Sequence, residues 1–518
     1  MEKIKSYLSK FEMIFSKFRY VVEFLISFIT ISTILKVILT KVYDGYFHRW
    51  FILSALTFLV LLVLLIIYNF KKSNRKIENY FLNVAIPLGI CYMLAVIPGH
   101  VPDETTHFYK AYDLSNGNII TSIDKNGDSY IEVPAILSLY HHNKVKNYNE
   151  FLKLTTIETD YENVENVIST AQGNSSLMYI LPALAFKISN VLNLNIIYGL
   201  LLGKILNFIM FLILIYFAIK IIPFGKMVFM LYVLMPMNLQ QVTSISPDAF
   251  INTILLFYIA FSVYIIFKKE KIKKWEIALY IVLAIVSGII KMVYIFIAGL
   301  GFLIVIRNDI SKKLKIIIIL VTITLGSIFT ITTYLISQMY TLIPDVNVQY
   351  ALEYNVDTSG QINEMIQNPE HAIEAFVHDW YVMQKEYVFM AIGSQLGWLE
   401  IQPSETIILL YLILLIVASL SERSEFEFNT LSKVWILLIG IGVILLVELA
   451  MYTGFTPISA EYIGGVQGRY YVPIYILALL CLIKKENFVR IKNSEVKFII
   501  WALALNACVI FEIVKHFV

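Results

Sequence analysis

The sequence predicts an all-α polytopic membrane protein that forms a single transmembrane domain over residues 1–518. Hydrophobic residues make up 58% of the chain and charged residues only 15%, whereas a soluble globular chain is about 45–50% apolar and about 25% charged. The apolar residues also fall in runs of the length that a helix needs to cross a bilayer, about 17–25 residues. This composition excludes a soluble enzyme, and we expect a bilayer and no nucleic acid as partners.

These apolar runs predict about 13 transmembrane helices in chain order. Their approximate bounds are 20–40, 50–69, 79–97, 196–219, 227–245, 248–267, 275–290, 292–306, 316–337, 404–420, 434–453, 469–483 and 498–516. One further apolar patch, Leu177–Val191, is shorter and fits a juxtamembrane helix at the interface better than a span.

Lysine pairs set the predicted orientation, because cytoplasmic loops carry an excess of Lys and Arg. With a cytoplasmic N-terminus, every Lys-Lys pair falls in a cytoplasmic segment; the pairs are Lys71-Lys72, Lys268-Lys269, Lys273-Lys274, Lys312-Lys313 and Lys484-Lys485. Counting Leu177–Val191 as a span would place Lys268–Lys274 outside, so we predict that it does not cross. Two long polar loops then face outward, at 98–176 and 337–403. Long loops between spans usually carry function.

The first outer loop opens with a cluster of charged and polar side chains. Pro102 suits the first position of a helix, since its missing N–H is not needed there. A helix beginning there places Asp103 and Glu104 in its first turn, with His107 four and three residues later on the same face. Lys110 follows after three more residues. Two carboxylates, an imidazole and an ammonium are therefore predicted to converge just outside the membrane.

Each charged feature also has a structural interpretation. Asp103 and Glu104 could serve only the helix, because carboxylates in a first turn cap N–H groups and favour the helix dipole. Asp248 begins a span just after a proline and could simply cap that helix. Arg469, at the outer end of the twelfth span, could be an interfacial anchor, although Arg is usually biased inward. Lys291 is better explained as an interfacial lysine than as a ligand.

Taken together, these residue types indicate transfer chemistry on a phosphate-bearing substrate. A carboxylate such as Asp103 can take a proton from an acceptor hydroxyl as a general base. The forked donors of Arg469 bind phosphate oxygens in pairs, and three glycines before it let the backbone approach closely. These glycines are Gly464, Gly465 and Gly468. A phosphate held at a membrane surface is most simply a lipid head group. For His107, orienting a carboxylate, sharing its proton and ligating a metal all stay open.

Three motifs resemble those of a family of bacterial polytopic proteins, domain-of-unknown-function family 2142. The motifs are Pro102-Asp-Glu-Thr-Thr-His-Phe-Tyr-Lys-Ala-Tyr112 followed by Gly117, then Ser246-Pro-Asp-Ala-Phe250, then Gln467-Gly-Arg-Tyr-Tyr471. They stand in the same order as in the family, and the resemblance covers roughly residues 80–485. One departure from the family's first motif is Lys110, at a position where the resemblance leads us to expect Arg. Lysine keeps the positive charge but lacks the forked pair of donors of a guanidinium.

That family in turn resembles the membrane-embedded glycosyltransferases of the GT-C class. The resemblance implies a GT-C-like helical bundle, with Asp103 as the catalytic base, Glu104 assisting it and Arg469 near the donor phosphate. A divalent cation, Mg or Mn, held by Asp103, Glu104 and His107 stays open, since some members of the class need a metal and others do not. The expected site is, for catalysis, Asp103, Glu104 and His107; for the donor phosphate, Arg469, Lys110, Gln467 and Tyr470; and, as further candidates, Asp248 and Glu461.

The function indicated is that of a glycosyltransferase in a bacterial plasma membrane. We expect it to move a sugar from a polyprenyl-phosphate donor to an envelope glycan, lipid or protein, at an extracytoplasmic active site. The alternatives are a flippase or transporter of lipid-linked sugars, a polymerase or ligase of lipid-pyrophosphate-linked glycans, and a structural membrane protein. A transporter is expected to show inverted repeats and ionisable residues near the midplane, and no repeat is visible in the sequence.

Overall fold

The computed structural model describes residues 31, 76–119, 130–140, 143–167, 169–171, 173–307, 310–341, 356–486, 488–491 and 494–518. Of the predicted spans, 20–40 lies outside these residues except for Ile31, and 50–69 lies wholly outside them.

Helices dominate the described structure. In chain order the α-helices are α1 (Ile77–Ala95), α2 (Glu104–Ser115), α3 (Ala135–Ser138), α4 (Tyr148–Leu154), α5 (Ile180–Val191), α6 (Ile196–Ile221), α7 (Lys226–Val233), α8 (Pro236–Val242), α9 (Asp248–Phe267), α10 (Lys274–Ile290), α11 (Lys312–Thr341), α12 (Thr358–Gln367), α13 (Pro369–Ile392), α14 (Glu405–Ser421), α15 (Thr430–Phe455), α16 (Val472–Leu482) and α17 (Ser494–Phe517). The 3₁₀ helices are Ser176–Tyr179, Met292–Ile306 and Gly468–Tyr471, and the strands are β1 (Ile131–Pro134) and β2 (Val164–Val167).

Five of these helices are long and apolar enough to cross a membrane: α1, α6, α9, α15 and α17. The described part of the chain is therefore that of an all-α membrane protein, as predicted. The predicted number of about 13 transmembrane helices is not confirmed. Several predicted spans form shorter elements: α10 and α14 have 17 residues each, and the predicted span at 292–306 is a 3₁₀ helix of 15 residues.

The predicted span at 227–245 does not form one continuous helix, because this segment is broken. It forms α7 and α8, two buried helices of 8 and 7 residues. Pro236 has no N–H to continue the first helix, and Met235 before it is extended, with φ −58° and ψ 144°. The sequence run is apolar enough to suggest one span, but its proline divides it.

Side chains from other elements satisfy the carbonyl groups that the break leaves free. Asn238 Nδ2 donates to the carbonyl of Val233 at 2.7 Å, and Asn506 Nδ2 of α17 donates to that of Leu234 at 3.2 Å. The hydroxyl of Tyr411 in α14 donates to the carbonyl of Leu231 at 2.9 Å. A broken helix in an apolar interior needs such partners, because an unsatisfied backbone group there costs several kcal/mol.

The described residues of the first predicted outer loop, 98–176, are folded. They include α2 and a two-stranded antiparallel sheet, in which Ile131 of β1 lies opposite Val167 of β2; the prediction of fold class included no strands. The predicted helix at Leu177–Val191 is present as the turn Ser176–Tyr179 continued by α5. Because α5 packs against both α2 and α6, it fixes the loop on the helical bundle.

The second predicted outer loop, 337–403, is largely helical in its described residues. It holds the end of α11, all of α12 and all of α13, and α13 packs against the 3₁₀ helix Gly468–Tyr471. After α13 the chain makes a tight turn in which Leu396 and Ile401 exchange backbone hydrogen bonds. These contacts bring the second loop to the residues of the third motif.

Candidate functional site

The three sequence motifs meet at Arg469, which lies in the 3₁₀ helix Gly468–Tyr471 and is only 5% exposed. Its Nη2 donates to Oδ2 of Asp103 at 3.0 Å, and its Nη1 lies 3.3 Å from Oδ2 of Asp248. Nη1 also donates to the carbonyl of Pro102 at 3.2 Å. The guanidinium therefore joins two carboxylates from distant parts of the chain. We call Asp103, Asp248 and Arg469 the ionic centre.

The aromatic ring of Tyr470 packs beside the ionic centre. The Arg469 guanidinium lies 5.2 Å from the centroid of the Tyr470 ring, and Nζ of Lys291 lies 4.2 Å from the same centroid. Tyr470 is thus flanked by two cations, an arrangement that the ring quadrupole favours. Lys291, for which the sequence indicated an interfacial role, belongs with these residues.

Gly468 determines how closely the third motif approaches α13. A Cβ at this position would lie 2.4 Å from the carbonyl oxygen of Tyr387 and 2.6 Å from the backbone nitrogen of Ala391. Any larger residue would push the two elements apart and move Arg469 with them. The sequence predicts that Gly468 allows a close approach of the backbone. In the structure the backbone at Gly468 closely approaches helix α13.

Asp103 adopts a left-handed backbone conformation, with φ 62° and ψ 8°. Helix α2 begins after it at Glu104, so the prediction that the helix begins at Pro102 is wrong. The Asp103 side chain makes no cap hydrogen bond; it turns instead to Arg469 and stays 50% exposed. Aspartate tolerates this conformation better than most residues. The capping interpretation therefore does not account for the Asp103 carboxylate, which is the accessible acid of the ionic centre.

Asp248 is the first residue of α9 and its side chain is 8% exposed. Its backbone N–H donates to the hydroxyl of Ser246 at 3.2 Å, so the turn before the helix is held by the serine of the second motif. The Asp248 carboxylate faces Arg469 and provides a buried countercharge for it.

Glu104 is directed away from the ionic centre. It is fully buried, and Oε2 accepts from the N–H groups of Gly99 at 2.7 Å and Val101 at 3.4 Å, while Oε1 accepts from Ile245 N–H at 2.9 Å. Burial raises the pKa of Glu104, and the positive charge of Lys204 together with these N–H groups opposes that rise. Glu104 thus ties the start of the first motif to the turn before α9.

His107 lies in the first turn of α2, four residues after Asp103. Its Nδ1 lies 2.9 Å from the hydroxyl of Tyr179, and its backbone N–H donates to the Asp103 carbonyl at 3.2 Å. Burial lowers the pKa of His107 to about 3, although the negative charge of Asp103 acts in the opposite direction. The imidazole is therefore neutral near pH 7. Its hydrogen bond to Tyr179 fixes the ring and links α2 to the turn before α5.

The other predicted residues are distributed around this arrangement. Lys110 is 1% exposed, and its Nζ lies 3.5 Å from the carbonyl of Ile119 in the same loop; burial lowers its pKa. It is therefore not brought to Arg469. Glu461 is exposed on the segment between α15 and the third motif. Gln467 directly precedes Gly468, and its buried Oε1 has no hydrogen-bond partner among the described residues.

The predicted metal ligands are not brought together. Among the described residues, no group of three His, Cys, Asp or Glu side chains is arranged to hold a metal ion. In this structure both carboxylate oxygens of Glu104 accept from backbone N–H groups, and Nδ1 of His107 lies beside the hydroxyl of Tyr179. Asp103 instead shares a guanidinium with Asp248, so the positive charge between the carboxylates comes from the protein itself.

Sequence reasoning missed two buried glutamines beside the ionic centre, Gln240 and Gln241 of α8. They are 1% and 0% exposed, and with Gln467 and Arg469 they line one narrow crevice. A signal for them was present in the sequence. Two adjacent amide side chains inside an apolar run are costly to bury, and they indicate a site or a polar contact.

A comparison with protein-family models finds a match. The model DUF2142, described as a predicted membrane protein, matches residues 86–478, a range that contains Asp103, Asp248 and Arg469. Comparisons with curated proteins and with solved structures find no match for the chain.

Proposed function

Because the chain belongs to the DUF2142 family of predicted membrane proteins, and its three motifs share one ionic centre, we propose that it is a membrane glycosyltransferase. It transfers a sugar from a polyprenyl-phosphate donor to a glycan, lipid or protein of the bacterial cell envelope, on the extracytoplasmic face of the plasma membrane. The supporting observation is that buried Arg469 joins a buried and a half-exposed carboxylate. This arrangement offers an anion-binding group beside an accessible base.

The reaction assigns a role to each member of the ionic centre. The acceptor hydroxyl oxygen attacks C1 of the donor sugar, and the bond between C1 and the phosphate oxygen breaks, with its electron pair leaving on the phosphate. The acceptor proton passes to the Asp103 carboxylate, which is the general base. Arg469 binds the phosphate and stabilises the negative charge that develops on it as the bond breaks.

Asp248 and Lys291 support Arg469 in this scheme. Asp248 is buried at 3.3 Å from Nη1 and holds the guanidinium in place. A donor phosphate replaces the Asp103 carboxylate at Nη2 and leaves that carboxylate free for the acceptor hydroxyl. Lys291 reaches the same aromatic ring as Arg469 and adds positive charge on the side of Tyr470. No step of this scheme uses a divalent cation.

The test uses full-length protein in nanodiscs, a panel of polyprenyl-phosphate sugars and crude envelope acceptors. Mass spectrometry follows the release of free polyprenyl phosphate by the wild type, Asp103→Asn and Asp357→Asn. The last variant is a matched control, because Asp357 caps α12 through a hydrogen bond from Ser359 N–H that asparagine also accepts. Release that needs both an acceptor and Asp103 supports the proposal. The absence of release from the whole panel overturns it.

A second candidate function is a flippase for lipid-linked sugars, and one observation favours it. Transporters build substrate sites from discontinuous helices near the bilayer midplane, and the broken pair α7 and α8 carries buried glutamines. Movement of a fluorescent polyprenyl-phosphate sugar across proteoliposomes, without release of polyprenyl phosphate, would favour this function over transfer.

A further inference from the structure

The 3₁₀ helix Met292–Ile306 begins beside the ionic centre and then lines an apolar groove. Lys291 directly precedes this helix, and the hydroxyl of Tyr294 in its first turn donates to the carbonyl of Tyr470 at 2.8 Å. The 3₁₀ helix borders a groove of about 460 Å³ together with side chains of α10, α11 and α15. We call this space the apolar groove.

The geometry of the 3₁₀ helix turns two straight rows of residues toward the apolar groove. With three residues per turn, positions i and i+3 are eclipsed, so that each row runs parallel to the helix axis. The two rows that line the groove are Ile295, Ala298 and Gly301, and Phe296, Gly299 and Phe302. The third row consists of Tyr294, Ile297, Leu300 and Leu303, which are all buried. Because 3₁₀ runs longer than about three to four residues are uncommon, a run of 15 residues is an unusual way to build a straight wall.

The polar atoms of the two largest aromatic neighbours are directed at the backbone of this wall. Nε1 of Trp435 in α15 donates to the carbonyl of Gly299 at 2.8 Å, and the hydroxyl of Tyr280 in α10 donates to that of Ala298 at 3.0 Å. The other polar side chains among the lining residues are the hydroxyls of Thr322 and Ser327. A space with so apolar a lining takes hydrocarbon in preference to water.

The volume of the apolar groove fits a short length of hydrocarbon chain. Ligand pockets in proteins measure about 300–1,000 Å³, and the groove, at about 460 Å³, lies within this range. An apolar cavity of about 150 Å³ binds one benzene molecule, so the groove has room for roughly three isoprene units. Protein interiors leave few voids larger than a water molecule, and a space of this size therefore needs an occupant.

We infer that the apolar groove holds the isoprenoid chain of the lipid-linked donor, an inference that rests on the proposed function. A phosphate bound to Arg469 lies next to Tyr470, the residue to which Tyr294 is hydrogen-bonded. At a rise of about 2.0 Å per residue, the lining residues from Ile295 to Phe302 lie about 2–16 Å along the 3₁₀ helix from Tyr294. The chain that is bonded to the phosphate therefore has a straight apolar wall to follow away from the ionic centre.

The shape of the wall favours a branched chain over a straight one. Gly299 stands between the rings of Phe296 and Phe302 in one row, and Gly301 ends the other row, so the wall has recesses where side chains are missing. An isoprenoid chain carries a methyl branch on every unit, whereas the acyl chain of an ordinary phospholipid is smooth. The recesses accept methyl branches that would otherwise clash with a continuous row of large side chains.

A photoreactive lipid tests where the chain lies. Full-length protein in phosphatidylglycerol nanodiscs is irradiated with geranylgeranyl phosphate that carries a diazirine on its terminal isoprene unit, and mass spectrometry identifies the labelled peptides. The phospholipid of the nanodisc is the competing occupant. Unmodified geranylgeranyl phosphate and a straight-chain alkyl phosphate with the same number of carbons serve as added competitors.

A pair of neighbouring variants controls for general effects on the membrane surface of the protein. Leu438→Trp adds a large ring at a residue that lines the apolar groove, and Leu437→Trp adds the same ring at the preceding residue of α15, outside the lining. Both leucines are exposed, so neither change overpacks the core. Equal melting temperatures verify that both variants are folded.

The expected result is labelling of α11 and α15 at the groove, which geranylgeranyl phosphate removes more effectively than the straight-chain phosphate. Leu438→Trp should reduce this labelling at least about fivefold, the lower end of the effect of overpacking a filled space. Leu437→Trp should leave it unchanged.

Three other outcomes separate this inference from the proposed function. Labelling spread evenly over the lipid-facing helices would mean that the groove holds ordinary phospholipid, and equal competition by both phosphates would mean that it does not select isoprenoids. Either result overturns the inference, and the proposed function stands if the wild type still releases polyprenyl phosphate. Specific labelling of the groove without release from any polyprenyl-phosphate sugar would overturn the proposed function and support the groove as an isoprenoid site.

Discussion

The guanidinium of Arg469 donates to the carboxylate of Asp103 at 3.0 Å, although 366 positions separate the two residues in the chain. This contact connects the start of the first outer loop with the middle of the third motif. Because Asp248 holds the other side of the same guanidinium, a change to any of the three residues has consequences for the others. The three members nevertheless differ in exposure, and this difference separates their expected effects on activity and on stability.

Replacement of Asp103 by asparagine should affect activity far more than stability. The Asp103 side chain is half exposed, and exposed ion pairs contribute about 0–1 kcal/mol. Loss of a general base typically lowers the rate by about 10²–10⁴-fold. We therefore expect Asp103→Asn to retain a wild-type melting temperature within a few degrees while losing sugar transfer. Transfer at the wild-type rate would exclude Asp103 as the base.

Replacement of Arg469 by glutamine should destabilise the protein strongly. It leaves the buried carboxylate of Asp248 without a countercharge, and breaking a buried pair in this way costs about 3–5 kcal/mol. Adding Asp248→Asn should restore part of the lost stability, because it removes the unpaired charge. Thermal unfolding of the single and double variants in detergent measures this recovery. A double variant no more stable than Arg469→Gln would show that the two charges are not coupled.

Gly468→Ala should disrupt the site through packing alone. Its methyl group would meet the backbone of Tyr387 and Ala391 at 2.4 and 2.6 Å, and overpacking of this kind costs about 1–3 kcal/mol. The shift should move Arg469 and weaken phosphate binding. Gly454→Ala is the matched control, since a Cβ there meets nothing within 4 Å and alanine favours a helix. Equal melting temperatures for the two variants would contradict the assigned contact.

Glu104→Gln should behave as a folding variant. Glutamine presents an NH₂ group where the carboxylate accepts from Gly99, Val101 and Ile245, so that at least one N–H loses its acceptor. The expected cost is about 1–3 kcal/mol for each buried group left unsatisfied. The yield of monodisperse protein should fall, whereas Glu461→Gln at an exposed position should not change it. Normal yield and normal stability together with lost activity would instead support a catalytic role for Glu104.

His107 should make the stability of the protein depend on pH. Its pKa is lowered from 6.5 to about 3 by burial, so the unfolded chain binds a proton at a higher pH than the folded protein does. Stability is therefore complete above about pH 6.5 and is lost progressively as the pH falls toward 3. His107→Gln keeps a partner for Tyr179 without titrating. The melting temperatures of wild type and variant should converge or cross on acidification, whereas parallel curves would contradict the assignment.

The sequence was informative where a residue type has few structural options. Proline, aspartate and arginine in short motifs indicated the members of the ionic centre, and the apolar runs indicated α1, α6, α9, α15 and α17. The start of α2 was mispredicted by two residues, because proline favours a first helical turn in general. Here the left-handed conformation of Asp103 delays the helix and frees the carboxylate.

Other features depend on partners that a linear pattern does not display. Glu104 and Asp103 are neighbours with the same chemistry. Glu104 is buried against three backbone N–H groups, one of them from distant Ile245, whereas Asp103 faces Arg469. The helix break at Pro236 was missed because hydropathy averages over the whole run. The narrow crevice beside Arg469 needs residues from α8, from the turn after α13 and from the third motif, which become neighbours only in the folded protein.

The broken pair α7 and α8 constrains how the protein can enter a membrane. Helices of 8 and 7 residues extend only about 12 and 10 Å at 1.5 Å per residue, against a hydrocarbon core of about 30 Å. The carbonyls of Leu231 and Leu234 find their partners in Tyr411 and Asn506, which are synthesised 180 and 272 positions later. This segment therefore cannot settle in lipid by itself as it leaves the translocon. Its stable packing has to wait for α14 and α17, so helices translated much later are a condition for the integration of this segment.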